Sequence, residues 1–156
     1  MTRERIITVP AHTLVASRET IPADNMQGYF DRAFTRSIEA IQSVGASPAG
    51  PARAYYFSPL TDVVDLAGGF PLAEEYVEAV EAAFPDLVHR IPEFRVITGR
   101  HRGPYDQLGV TWQELIEHIR DLGQQTGPVF WEEYITMPTP DADPADMITD
   151  LYATLV

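Results

Sequence analysis

Ile41-Gln42-Ser43-Val44-Gly45, followed by Gly50-Pro51 and Ala54-Tyr55-Tyr56-Phe57, has a counterpart later in the chain: Ile119-Arg120-Asp121-Leu122-Gly123, then Gly127-Pro128 and Phe130-Trp131-Glu132-Glu133-Tyr134. The two stretches lie about 77 residues apart, and each reads as the end of a helix, a glycine stop, a loop with Gly-Pro, and an aromatic strand. Upstream of the first, Met26, Phe30, Phe34, Ile38, Ile41 and Val44 recur at helical spacing, which predicts an amphipathic helix from Met26 to about Val44. Upstream of the second, Leu108, Trp112, Leu115, Ile119 and Leu122 alternate steps of four and three, which predicts a helix opened by Gly103-Pro104.

The segments around these helices read as strands. Arg5–Pro10 and Thr13–Arg18 are β-branched and alternating, and Ile21-Pro22-Ala23-Asp24 reads as a turn with Asp24 a candidate N-cap. Ala52–Phe57 and Val63–Leu66 form an expected strand pair, and Glu93–Thr98, Val129–Thr136 and Met147–Leu155 are further strands. Between the halves, Leu72–Phe84 sets Tyr76, Val77, Val80, Ala83 and Phe84 against Glu74, Glu75, Glu78 and Glu81, the pattern of a short surface helix. The predicted fold class is α+β. Two pseudo-twofold β-α-β-β repeats form one curved antiparallel sheet with two long helices on one face and a ligand cleft between the halves. The expected division is one domain over 1–156, with a first half over about 1–72, an acidic helical insertion over 73–92 and a second half over 93–156.

Composition excludes much chemistry. The 156 residues contain no cysteine, so disulfides, thiolate nucleophiles and Cys-held metals are absent. They contain no lysine either, which removes Schiff-base chemistry and the P-loop lysine. None of the five serines sits in a G-x-S-x-G elbow, and His12, His89, His101 and His118 form no H-E-x-x-H. Asp141-Ala142-Asp143-Pro144-Ala145-Asp146 lacks the glycine and the distal glutamate of a calcium loop and reads as a solvated connection. No metal site and no cofactor are expected. The formal net charge of −12 opposes direct binding to a phosphate backbone, and after Arg120 every charged residue is acidic. With no apolar run of membrane-spanning length and no apolar stretch behind Met-Thr-Arg-Glu-Arg, the expected location is the cytoplasm.

On a strand, Phe130, Glu132 and Tyr134 share one face, and Trp131, Glu133 and Ile135 the other. A carboxylate between two aromatic residues is costly to bury and is suited to a cationic ligand, to which aromatic rings add cation–π attraction. Tyr55 and Tyr56 are adjacent and so point to opposite faces; either could face the cleft. Trp112 and Phe30 lie in the apolar stripes of the two helices, where core packing competes with ligand contact.

The chain resembles the GyrI-like (gyrase-inhibitor-like) superfamily, whose fold also forms the effector-binding domain of multidrug-sensing bacterial regulators. The residues that carry the resemblance are Ala54-Tyr55-Tyr56, Gly68-Gly69-Phe70-Pro71-Leu72, Arg102-Gly103-Pro104-Tyr105, Trp131-Glu132-Glu133-Tyr134 with its E-x-Y strand, and Thr149-Asp150-Leu151-Tyr152. Two features depart from it: Ala67 stands roughly where the family often has a glutamate, and the 72–92 connection is long. The resemblance implies a stand-alone small-molecule-binding protein for drug sensing or sequestration, taking a lipophilic, cationic or aromatic ligand. It implies ligand contacts from Glu132, Tyr134, Tyr152, Tyr55, Tyr56, Tyr105, Trp112 and Phe30, with Tyr152 beside the glutamate. Two alternatives come with it: a hydrolase of cyclopropane-containing, DNA-alkylating natural products in which Glu132 is catalytic, and a partner of DNA gyrase or of a regulator.

Overall fold

The computed structural model describes residues 4–59, 61–136 and 141–156, so part of the connection expected between the Val129–Thr136 and Met147–Leu155 strands, a loop over 137–144, lies outside the described residues. The chain forms two compact units. One is Pro10–Glu93; the other joins the N-terminal strand to Phe94–Val156.

In the 10–93 unit the order is β1 (His12–Pro22), α1 (Met26–Ser43), β2 (Arg53–Tyr56), β3 (Val63–Leu72), α2 (Glu74–Ala83) and β4 (Val88–Ile91). All pairings are antiparallel, and the strands lie in the order β2-β3-β1-β4. In the other unit β5 (Arg5–Val9) pairs with β6 (Phe94–Arg102), which precedes α3 (Leu108–Asp121), β7 (Thr126–Tyr134) and β8 (Ile148–Leu155). Its strands are also antiparallel, in the order β7-β8-β6-β5. The two units therefore share one α+β topology. Each is a β-α-β-β repeat with its first strand paired to its last, plus an outer strand beside the first. That outer strand comes from the 73–92 insertion in one unit and from the N-terminus in the other.

The repeat extends to the helix ends. After α1, Gly45 takes φ +75°, its N–H reaches Gln42 O, and Ala46 N–H reaches Ile41 O. After α3, Gly123 takes φ +71°, with Gly123 N–H to Arg120 O and Gln124 N–H to Ile119 O. Both are left-handed glycine caps of the same form.

Several local expectations change. The strand read as ending at Arg18 continues to Pro22, because Glu19, Thr20 and Ile21 find partners in Leu66, Asp65 and Val64. Asp24 does not cap α1: Ala23–Asn25 is a single 3-10 turn, and Asn25, not Asp24, stands at the cap without a side-chain bond. The strand read as Val63–Leu66 runs on through Gly68-Gly69 to Leu72. A Cβ at Gly69 would lie 2.0 Å from Val15 O, and one at Gly68 would lie 3.3 Å from the Tyr29 hydroxyl, so these glycines serve close approach. Val88–Ile91, not foreseen as a strand, pairs with His12–Val15.

The helix faces also differ from a simple apolar stripe. In α1 the fully buried line is Tyr29, Ala33, Ser37, Ala40 and Ile41; the larger Phe30, Phe34 and Ile38 flank it and are half-buried. Small residues let the helix axis approach the sheet, and the large ones fill its sides. The end of α1 shares an apolar cluster with α2 through Val15, Ala40, Ile41, Leu72, Val77, Val80 and Leu87, so the insertion completes the core of the 10–93 unit. In the other unit Leu115 and Ile119 of α3 pack on Ile97, Leu151, Ala153 and Leu155. Leu122, expected in the stripe, is exposed.

Candidate functional site

The face of the 94–156 sheet beneath α3 can be read in rows, because residues directly opposite in an antiparallel pair share a face. The lowest row is apolar: Ile97, Ala153 and Phe130. The middle row is Gly99, Leu151 and Glu132. The upper row is polar: His101, Thr149 and Tyr134. Alternation along β7 brings Phe130, Glu132 and Tyr134 onto this one face, as the sequence implies.

Glu132 is buried, with 6% of its surface exposed. Trp112 Nε1 on α3 donates to its Oε2 at 2.7 Å, and the Tyr134 hydroxyl donates to its Oε1 at 2.8 Å. The Trp112 ring meets Phe130 edge-on at 5.9 Å, and Tyr105 meets Tyr134 edge-on at 5.8 Å. The carboxylate thus sits among four aromatic side chains, and two of them supply its hydrogen bonds. Both of these donors are neutral groups. Tyr105, on a 3-10 turn (Tyr105–Gln107), has its phenol pushed up from the usual range, first by burial and then by the negative charge of Glu132. The turn is held from below by His101. His101 Nε2 donates to Pro104 O at 3.1 Å, so its Nδ1 is the acceptor for the Thr111 hydroxyl at 2.6 Å. This is a positioning role, and the structure gives His101 no contact with Glu132.

Four residues expected at the site therefore come together: Glu132, Tyr134, Trp112 and Tyr105. Tyr152 does not join them. It is opposite Trp131 on β8, the two rings stack at 4.9 Å, and both lie on the sheet face away from α3. The expectation that Tyr152 stands beside Glu132 fails on parity, because Leu151 is the residue opposite Glu132. Glu133 shares the far face and accepts a bond from Trp131 Nε1 at 3.1 Å.

The remaining three belong to the 10–93 unit. Tyr56 is opposite Leu66 on the face covered by α1. Tyr55 is on the other face, fully buried, with its hydroxyl 2.6 Å from His12 Nε2. Phe30 stacks on Phe34 at 5.5 Å, and Phe34 meets Phe70 at 5.8 Å. Thr149 was missed as a site residue. Its only signal was alternation: counting back two positions from Leu151 puts it on the Glu132 face. Among the described residues no group of three His, Cys, Asp or Glu side chains is arranged to hold a metal ion, and no helix is long and apolar enough to cross a membrane.

No family model and no curated protein sequence matches the chain. Solved structures do match it over nearly its whole length. SAV2435 bound to tetraphenylphosphonium is 13% identical with a TM-score of 0.70, over 99% of this chain and 94% of that one. The EcmrR C-terminal domain is 15% identical with a TM-score of 0.72, over 99% and 97%. A hydrolase from Listeria innocua is 17% identical with a TM-score of 0.65, over 99% and 92%. In a DNA complex of EcmrR, the chain spans 57% of the EcmrR chain. The chain has the α+β fold of these solved structures, the fold that the sequence resemblance implied.

Proposed function

We propose that this protein binds a lipophilic organic cation at Glu132. One observation carries the reading: a buried carboxylate whose two oxygens are held by the neutral donors Trp112 and Tyr134, with Phe130 and Tyr105 packed against those two rings. The carboxylate's hydrogen-bonding needs are met by the protein, so a ligand need bring only charge and apolar surface. A quaternary phosphonium or ammonium ion, which has no N–H or O–H at its cationic centre, suits that arrangement. The tetraphenylphosphonium held by SAV2435 supports the same class of ligand. Such binding fits drug sensing or sequestration, with any output passed through a partner protein, since the net charge of −12 disfavours contact with DNA.

The test is a fluorescence titration with tetraphenylphosphonium, with Trp112 as the reporter beside the carboxylate. Glu132→Gln is expected to weaken binding by about 1–3 kcal/mol, the scale of losing a charged partner. A neutral analogue such as triphenylphosphine oxide should respond little to the substitution. Glu133→Gln, on the far face, should leave both ligands nearly unchanged. Equal losses at Glu132 and Glu133 would mean that the acidic surface as a whole attracts the cation.

The hydrolase named from Listeria innocua supports a second reading, in which Glu132 takes a proton from water as the water oxygen bonds to a cyclopropane carbon; the ring C–C bond breaks, and its electron pair and then the proton pass to the conjugated carbonyl part of the substrate. Turnover separates the two. Product exceeding one equivalent, and lost in Glu132→Gln, means an enzyme; its absence with a reactive cyclopropane substrate leaves a binding protein.

A further inference from the structure

Thr149 is fully buried, and its hydroxyl has no hydrogen-bond partner among the described residues. A buried hydroxyl without a partner costs stability, so one that persists calls for a ligand or a water to satisfy it. Its position is informative. Thr149 is opposite Tyr134 on one side and opposite His101 on the other, all three on the face beneath α3. Neither neighbour satisfies it: the Tyr134 hydroxyl is given to Glu132, and the two His101 nitrogens are engaged by Thr111 and Pro104. The hydroxyl therefore belongs to the upper, polar row of the same face that presents Glu132 in the middle row and Phe130, Ala153 and Ile97 below.

Resting on the reading of Glu132 as a cation site, we infer that Thr149 forms a polar subsite that selects cations carrying a hydroxyl, ether or carbonyl group beyond the charged centre. Thr149 is the diagonal neighbour of Glu132, one row up on the adjacent strand, a separation of about 7–8 Å across the pair. That spacing is close to the span from a phosphonium centre to a hydroxyl in the para position of one of its rings. The preferred ligand is thus an amphiphilic cation with its apolar rings toward Phe130, its charge at Glu132 and one hydrogen-bonding arm toward Thr149. A threonine hydroxyl both donates and accepts, so it serves either kind of arm.

The experiment compares tetraphenylphosphonium with (4-hydroxyphenyl)triphenylphosphonium, which differ by one hydroxyl. The wild-type protein is expected to bind the hydroxylated ion about threefold to tenfold more tightly, the worth of one neutral hydrogen bond. Thr149→Val, which keeps the shape, should abolish that preference, so that the two ions bind alike; Thr149→Ser should retain it. Thermal unfolding of Thr149→Val should occur at or above the wild-type temperature, and a clear fall would show that the hydroxyl has a structural partner and would overturn the inference. If tetraphenylphosphonium binding depends on Glu132 but the hydroxyl brings no gain, or the gain survives Thr149→Val, the subsite alone is wrong. If binding ignores Glu132→Gln, the cation-site reading falls and the subsite with it.

Discussion

The two units share a topology but treat the buried oxygen beneath their helix differently. In the 10–93 unit the Tyr29 hydroxyl of α1 donates to Ser17 O and accepts from Gly68 N at 2.6 Å. Its phenol is pushed up to about 12, chiefly by burial. That hydroxyl ties α1 to the backbones of two paired strands. In the 94–156 unit the oxygens of the buried Glu132 accept from two side chains, Trp112 and Tyr134. Side chains can rearrange around a ligand at far lower cost than a strand ladder can. One half of the duplication thus uses its polar group to hold a helix, while the other holds a carboxylate between aromatic side chains.

The largest expected effect tests whether the first half is as rigid as this contrast requires. Gly69→Ala would drive a methyl against Val15 O and Ala16 Cα, which are backbone atoms of the adjacent strand. A loss of about 3 kcal/mol or more is expected in chemical denaturation, or no folded protein at all. Gly127→Ala in the other half meets the Thr154 hydroxyl at 2.6 Å, a side-chain group that can turn away. That hydroxyl bonds to Val129, so a loss of about 1–2 kcal/mol is expected. Similar losses at both positions would break the comparison.

Next comes Tyr29→Phe, which strands two buried backbone groups and should cost about 1–3 kcal/mol in stability. Glu132→Gln should change stability by less than about 1 kcal/mol, because the amide accepts from Trp112 and donates to the Tyr134 hydroxyl, which can reverse its role. A stability loss at Glu132 as large as that at Tyr29 would make the carboxylate structural.

The smallest effect is a pH slope. Burial holds His89 below its ordinary value of 6.5, and its ring donates to Ala16 O at 3.0 Å. Below about pH 6.5 the unfolded chain takes up a proton that the folded one resists, so this contribution is present above that pH and is lost as pH falls toward the folded value. Stability curves between pH 7 and 5 should be flatter in His89→Gln, which keeps a donor for Ala16 O; an unchanged slope would place the titration elsewhere.

Much of the architecture was legible from local rules. The 3.6-residue recurrence located both long helices, glycine marked both C-termini, and the spaced repeat exposed the duplication. Alternation put Phe130, Glu132 and Tyr134 on one face. Errors arose where pairing outweighed local preference. Ile21-Pro22 and Gly68-Gly69 carry turn residues, yet both lie in strands, because a neighbouring strand supplies their hydrogen bonds and the glycines allow contact that a side chain would block. The Gly-Pro repeat also misaligns the faces. Between Thr126 and Phe130 the register of β7 slips, so Tyr55, which lies as far beyond Gly50 as Glu132 does beyond Gly127, faces away from its helix while Glu132 faces toward its own.

Element types, the duplication and the face on which Glu132 stands could be read from the residues alone, because they follow from the periods of helix and strand and from the conformations open to glycine and proline. The contacts of Trp112 and Tyr134 with the carboxylate, the place of Tyr152 on the far face and the lack of a partner for the Thr149 hydroxyl among the described residues came from the three-dimensional arrangement. Those facts depend on strand register and on the helix laid over the sheet, which join residues far apart in the chain, and a one-residue slip in either would reverse them.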